Sequence, residues 1–358
     1  MWCGAAVGLL LAGCASAASA PTRVPGQLVI AATHARSEIA VLRSRTGNSP
    51  RNDIVVVDSD GRRRHVLVGL PVQRVKVAPD GLAWSPDGRW LAFTAEVGRR
   101  TKPIDSPVTD LFLVEATGSG VRRLTHTGSA STPTWSPDGH TIVFAARTFF
   151  SDTPNNIFRS LATSLWRVSV DGSHARALTT VVQGQADVPG SFSPDGTRLA
   201  FTRVKLGIIA QSDVMVMSSD GSGLQMLAPG STDPVFSPDG NQIAFVSSRD
   251  RNGTVRTGED ESAYADELYV MNADGRDPRR LTYTRELSEF APSWSPDGTR
   301  IVYARQDSGF TKIVAVVNAN GGCGREIAAD PQGNTWYSEP VWRPGRGRTS
   351  EGALRCNH

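Results

Sequence analysis

The sequence contains one short phrase five times, and that repetition constrains the fold more than any other feature. Trp84-Ser85-Pro86-Asp87-Gly88 is followed by Trp90-Leu91-Ala92-Phe93. The phrase returns at Trp135–Gly139, Phe192–Gly196, Phe236–Gly240 and Trp294–Gly298, each time followed by a β-rich run such as Ile142-Val143-Phe144 or Ile301-Val302-Tyr303. Proline presets φ near −65° for a type I turn, and glycine supplies the positive φ that closes a three-residue hairpin loop. Each copy is therefore predicted to be strand, tight turn, strand. Five copies make a repeat array, and a repeat fixes architecture before any local assignment.

A second unit lies between the hairpins. Leu111–Leu124 (LFLVEATGSGVRRL), Leu165–Leu178, Val214–Leu227, Leu268–Leu281 and Ile313–Ile327 each read as a strand, a glycine turn and a short strand. One repeat is thus four antiparallel strands, a to d. The aromatics that begin the phrase, with Trp342 as a sixth, are 51, 57, 44, 58 and 48 residues apart. These spacings exceed the roughly 40–45 residues of a compact propeller blade, so the excess falls in loops. Asp53–Val57, the Asp60-Gly61 turn and His65–Val68 match the third and fourth strands of one more repeat, and Leu28–Ala32 matches its second. Its first strand is found at the other end of the chain, at Glu339-Pro340-Val341-Trp342. The expected fold is all-β: a six-bladed β-propeller of four-stranded antiparallel blades, closed by the C-terminal strand. Closure removes the open sheet edges that template aggregation.

The SPDG hairpins followed by LYVMNADGRDPRRLT (Leu268–Thr282) resemble the repeat of the TolB-like, WD-like propeller family, over roughly Gln27 to Pro344. The resemblance implies the fold and leaves function open. Related blades serve in the periplasmic Tol–Pal component, in prolyl-oligopeptidase-type enzymes and in some lyases. The expectation is a propeller without the separate N-terminal domain of the first and without the hydrolase domain of the second.

The first residues read differently. Ala5–Ala12 is apolar and small, and Leu11-Ala12-Gly13-Cys14 fits a lipobox, with Cys14 as the lipidated mature N-terminus. No Lys or Arg precedes the apolar run, which departs from a signal sequence; ordinary cleavage after Ala20 is the alternative. The expected organisation is a signal peptide at 1–13, a tether at 14–25, the propeller at 26–347 and a tail at 348–358. After processing, Cys323 and Cys356 remain, an even pair in an oxidising compartment, and are expected to form a disulfide. The net charge of +3 is spread over 358 residues with no basic cluster, which argues against nucleic acid.

Strand direction sorts the loops. The SPDG turns and the glycine turns joining c to d should share one face, and the b–c loops and d–a crossovers the other. Long loops on a rigid scaffold are where function concentrates. One of them carries Phe149, Phe150 and Phe158, and another, Arg249–Asp266, is charged. The segments leading into the first strands should ring the channel mouth on that face. Five carry a carboxylate: Asp80, Asp187, Asp233, Glu289 and Glu339. They are the candidate binding rim, for a basic side chain of a partner or for a cation such as calcium. Turn-forming strand starts also favour Asp and Glu, a structural reading of the same residues.

No catalytic residue is identified. The six histidines lack metal-ligand spacing, and no G-x-S-x-G, H-E-x-x-H or phosphate-loop motif occurs. The leading functional reading is a monomeric, membrane-tethered, extracytoplasmic binding module for an envelope protein or polymer. The alternative is a polysaccharide lyase or glycosidase that uses channel-mouth carboxylates, which would need a carboxylate pair about 5–10 Å apart.

Overall fold

In the computed structural model the described residues are 37–45, 51–62, 64–69, 76–99, 107–149, 161–206, 211–251, 253–256, 262–307, 312–330, 335–345 and 354. All belong to the unit Arg36–His358; the expected signal peptide and tether lie outside the described residues. Every regular element among the described residues is a strand.

The strands fall into antiparallel sheets of four. β1 (Glu38–Arg45), β2 (Arg51–Asp58) and β3 (Arg64–Val68) are joined by β26 (Thr335–Trp342) in the order β26-β1-β2-β3. β4 (Lys76–Trp84), β5 (Trp90–Arg99), β6 (Pro107–Glu115) and β7 (Arg122–Arg123) make the next sheet. β16 (Ser231–Phe236), β17 (Gln242–Ser247), β20 (Glu267–Asn272) and β21 (Arg279–Arg280) make another, with the separate hairpin β18 (Thr254–Arg256) and β19 (Ser262–Tyr264) inserted between β17 and β20. β22 (Leu287–Trp294), β23 (Arg300–Asp307), β24 (Lys312–Asn318) and β25 (Arg325–Ala328) make a further one. The remaining strands form one eight-stranded sheet: β8 (Ala130–Trp135), β9 (Thr141–Phe149), β10 (Leu161–Ser169) and β11 (Arg176–Ala177), with β12 (Gln185–Phe192), β13 (Arg198–Lys205), β14 (Gln211–Ser218) and β15 (Gln225–Pro229). Its halves meet through one parallel pair, Thr163 with Ala186.

Neighbouring sheets bury apolar side chains against each other. Ile39, Val41 and Val57 of the β1 sheet pack with Val302, Val314 and Val316 of the β23 sheet, and Leu42 and Val56 pack with Phe93 and Phe112 of the next sheet. Val143 and Leu165 face Leu199, Phe201 and Met217, so the halves of the eight-stranded sheet also pack as neighbours. Both faces of each sheet are covered, which explains strands such as Ile39-Ala40-Val41-Leu42 that are apolar without alternation. The innermost strands touch in the order β26, β4, β8, β12, β16, β22, and β22 returns to β26. The C-terminal strand thus completes the first sheet, as its sequence predicted.

One strand differs from expectation. The partner of β26 is Glu38–Arg45, with Ile39 opposite Trp342, whereas the sequence pointed to Leu28–Ala32, which lies outside the described residues. Both runs are apolar and β-prone. Ile39–Leu42 ends ten residues closer to β2, and its full pairing from Glu38–Asp58 to Arg45–Arg51 uses that proximity.

The repeated turn has the expected chemistry. Gly88 has φ of +66°, Gly88 N donates to Ser85 O (2.8 Å), and Asp87 Oδ1 accepts from Ser85 Oγ (2.7 Å) and Arg89 N (3.0 Å). The same bonds recur at Asp138, Asp195, Asp239 and Asp297. The serine hydroxyl and then a backbone amide hold the Asp195 carboxyl down to about 2. The c–d turns share this face: Ala116 N bonds Arg89 O, Val170 N bonds His140 O and Ala273 N bonds Asn241 O, each carbonyl belonging to the residue after an SPDG glycine.

Candidate functional site

Each innermost strand breaks its register three residues before its aromatic. The shifts lie between Val77 and Leu82, Ser131 and Thr134, Pro189 and Phe192, Thr232 and Val235, and Phe290 and Ser293, and at Glu339-Pro340 in β26. At the bulge Gly81, Thr132, Asp233, Ala291 and Glu339 have φ of +81°, +47°, +53°, +50° and +50°. Four of these five are not glycine, and such backbone costs about 1–3 kcal/mol each and concentrates at functional sites. The bulges line one axial cavity of about 410 Å³, walled by all of these strands and by Trp84, Trp135 and Trp342.

The five expected rim carboxylates separate here. Asp233 and Glu339 are equivalent bulge residues and both line the cavity. Asp233 Oδ2 accepts from Ala291 N on the neighbouring strand (2.9 Å), and burial pushes its carboxyl up against that bond. Asp187 and Glu289 lie two residues earlier and are fully buried away from the rim. Asp187 is bidentate with Arg203 of β13, at 2.8 and 2.9 Å. Glu289 meets Glu267 and Thr282 at the joint with the preceding sheet. The error in grouping them has a physical source: side chains alternate along a strand, and a bulge resets that alternation. Asp80 belongs to β4, but its side chain lies outside the described residues, as do Phe150, Phe158, Cys14 and Cys356. Phe149 ends β9 opposite Leu161. Cys323 is disulfide-bonded, and the tail returns close to it: Leu354 N and O both bond the Asn318 side chain, at 2.6 and 3.0 Å. Among the described residues no three His, Cys, Asp or Glu side chains are grouped to hold a metal ion.

Two indoles of the innermost strands, of which Trp135 lines the cavity, bond one strand to the next. Trp135 Nε1 donates to Ala83 O and Trp294 Nε1 to Val235 O, each at 3.0 Å and each to the preceding innermost strand. Trp84 Nε1 and Trp342 Nε1 are buried without a hydrogen-bond partner among the described residues, as is Thr132 Oγ1. Buried unsatisfied donors are rare and call for an explanation.

The sequence reading missed a set of carboxylates that fasten the blades. Asp110, just before buried Leu111, accepts from Arg123 Nη2 (2.5 Å) and Thr125 Oγ1 (2.7 Å), while Leu111 N donates to Thr125 Oγ1 (3.0 Å). Glu267 repeats this with Arg280 and Thr282. The signal was present as an acid in the third strand, just before its buried apolar run, and an Arg-Leu-Thr at the end of the fourth.

Residues 34–257 match the TolB beta propeller domain, most of the chain. The chain belongs to the TolB β-propeller family. It is 22% identical over 295 residues to the Tol-Pal system protein TolB of Francisella tularensis subsp. holarctica, covering 82% of this chain and 59% of that protein. This TolB-like chain therefore spans about three fifths of the length of that relative. It is 28% identical over 175 residues to the uncharacterized protein Atu1656 of Agrobacterium fabrum, covering 46% of this chain and 53% of that one. Among solved structures it resembles TolB from Acinetobacter baumannii with a TM-score of 0.62 at 18% identity, over 86% of this chain and 67% of that one. A putative TolB from Agrobacterium tumefaciens gives 0.54 at 17% identity, over 86% and 99%. At these identities the structural likeness speaks for the fold alone.

Proposed function

We propose that this TolB-like propeller is an extracytoplasmic binding module that receives a segment of an envelope protein partner in its axial mouth. The ring is read as six blades, with the eight-stranded sheet counted as two blades bridged by the Thr163–Ala186 pair. The packing of Leu165 against Phe201 across that bridge, like that between other neighbouring sheets, supports this count.

The observation that carries the reading is the wall of the axial cavity. It combines strained bulges, the carboxylates of Asp233 and Glu339, and the indole rings of Trp84 and Trp342. Acids among aromatic rings fit a polypeptide segment: it lies against the indole rings of the wall, and a basic side chain meets the carboxylates. Phe149, Phe150 and Phe158 are proposed to form an apolar flank. The similarity to a Tol-Pal system protein supports a protein partner in the cell envelope. The double change Asp233→Asn with Glu339→Gln is expected to weaken partner capture at least tenfold and to lower its salt sensitivity, with folding retained. Matched changes of Asp138 and Asp195 on the tight-turn face should leave capture within about twofold. The reverse pattern would place the site on the wrong face.

Anchoring through a lipidated Cys14 completes the proposal. Two or more acyl chains give stable membrane attachment. Cys14→Ser should shift the protein from the membrane fraction to the soluble one; unchanged partitioning would remove the anchor from the account.

A further inference from the structure

The hydroxyl of Thr282 is the meeting point of two sheets. Its Oγ1 accepts the Leu268 N–H at 2.9 Å. The same oxygen lies 2.7 Å from Glu267 Oε2 and 2.7 Å from Glu289 Oε2. A hydroxyl has one proton to give and two lone pairs with which to accept. That proton reaches only one of the two carboxyl groups, so the other must bring a proton of its own. Glu267 is the ionised member. Its Oε1 accepts from Arg280 Nη2 (2.6 Å) and Thr284 N (2.7 Å). Glu289 instead takes Thr284 Oγ1 at 3.2 Å on its other oxygen. Its cross-strand partner on β23, Arg305, turns a guanidinium nitrogen to Glu326.

We infer that the joint between β20 and β22 is a proton-operated clasp, in which neutral Glu289 donates to Thr282 and loss of that proton sets two buried carboxylates against each other and loosens the β21–β22 crossover. Another joint in the same ring serves as an internal comparison. Asp110, Thr125 and Arg123 form the same bonds, but the position equivalent to Glu289, five residues before the next aromatic, is Ala130. That joint needs no shared proton, so Glu289 adds titration to a fastening that holds without it.

Burial first, and the charge of Glu267 second, push the Glu289 carboxyl up to about 8. The other charged or titratable groups facing the clasp are Arg280, which also holds Asp250 (2.9 Å), Asp266, whose backbone carbonyl accepts from Glu289 N (3.0 Å), and Tyr303 and Arg305 of β23. Asp266 is itself pushed up, chiefly by burial. The sign follows from the raised value: the closed clasp binds the proton more tightly than a solvated Glu. Its advantage is complete below about 4.5 and falls about tenfold per pH unit until about 8, where it levels off. The clasp is two residues from Ala291, the bulge residue on the axial wall bonded to Asp233.

Two measurements on the full chain test this. Infrared difference spectra between wild type and Glu289→Gln at pH 6.5 should contain a protonated-carboxyl C=O stretch, present in the wild type and lost by pH 10. Amide exchange at Leu268, Thr284 and Glu289, corrected for intrinsic base catalysis, should lose at least tenfold protection between pH 6 and 9 in the wild type. It should lose less than twofold in Glu289→Gln or in Glu289→Ala, which copies the Ala130 joint. Absence of the carboxyl band overturns the shared proton. A band with equal, pH-independent protection in wild type and variants overturns the clasp.

Discussion

Ending the chain after Asn334 is expected to abolish cooperative unfolding and to drive the protein into aggregates. The cut removes β26, whose Tyr337 and Trp342 are buried in the core between the first and last sheets. Losing one large buried aromatic costs about 3–5 kcal/mol. The cut also exposes the whole β1 edge, which pairs with β26 from Ile39–Trp342 to Arg45–Thr335. β4 and β22, which β26 touches on either side, lose a neighbour as well. Together these losses approach the total stability of a domain, about 5–15 kcal/mol. The innermost contact from β22 to β4 would then be broken, and the β1 sheet would present an open edge. Calorimetry and light scattering of the truncated chain check this; a melt superimposable on that of the full chain would contradict ring closure.

Asp187→Ala should be among the most damaging single changes. Its carboxylate is fully buried and holds the Arg203 guanidinium at two points, and that bond holds the guanidinium proton more tightly than usual. Thr163 Oγ1 also donates to the Asp187 carbonyl (2.9 Å), tying β10 to β12. Removing the acid leaves a cation with little access to water, at a cost of about 3–5 kcal/mol. Replacing both partners, as Asp187→Leu with Arg203→Met, removes the charge and its counter-ion together and should cost at most about 1 kcal/mol. Urea unfolding of the two singles and the double decides the matter. A single Asp187→Ala that loses less than about 1 kcal/mol would mean that this acid is not the fastening described.

The contrast between Asp187 and Asp233 shows where the sequence was legible. Strand identity and order were readable because Pro86-Asp87-Gly88 and its copies need one turn geometry, and because Glu339–Trp342 supplied the one missing first strand. The grouping of acids at the channel mouth was not, because it depends on which side of the strand each residue faces. The bulge that sets this carries no common residue: Gly81, Thr132, Asp233, Ala291 and Glu339 share a backbone conformation and no side chain. A subtler mark was present. Pro133, Pro234, Pro292 and Pro340 each stand two residues before an aromatic, and proline inside a paired strand signals a broken ladder. The Glu267–Glu289 pair was hidden for a different reason. Its members come from separate sheets, and only the ring brings them to one threonine.

The claim that the axial mouth holds the partner is tested most directly by site-specific photo-crosslinking in cells of the native host. A photoreactive residue at Thr132, on the cavity wall, should give a discrete protein adduct that is lost when Asp233→Asn and Glu339→Gln are combined with it. The same probe at His174, on the opposite face of tight turns, should give none. An adduct formed from His174 and unaffected by the two carboxylate changes would contradict the account.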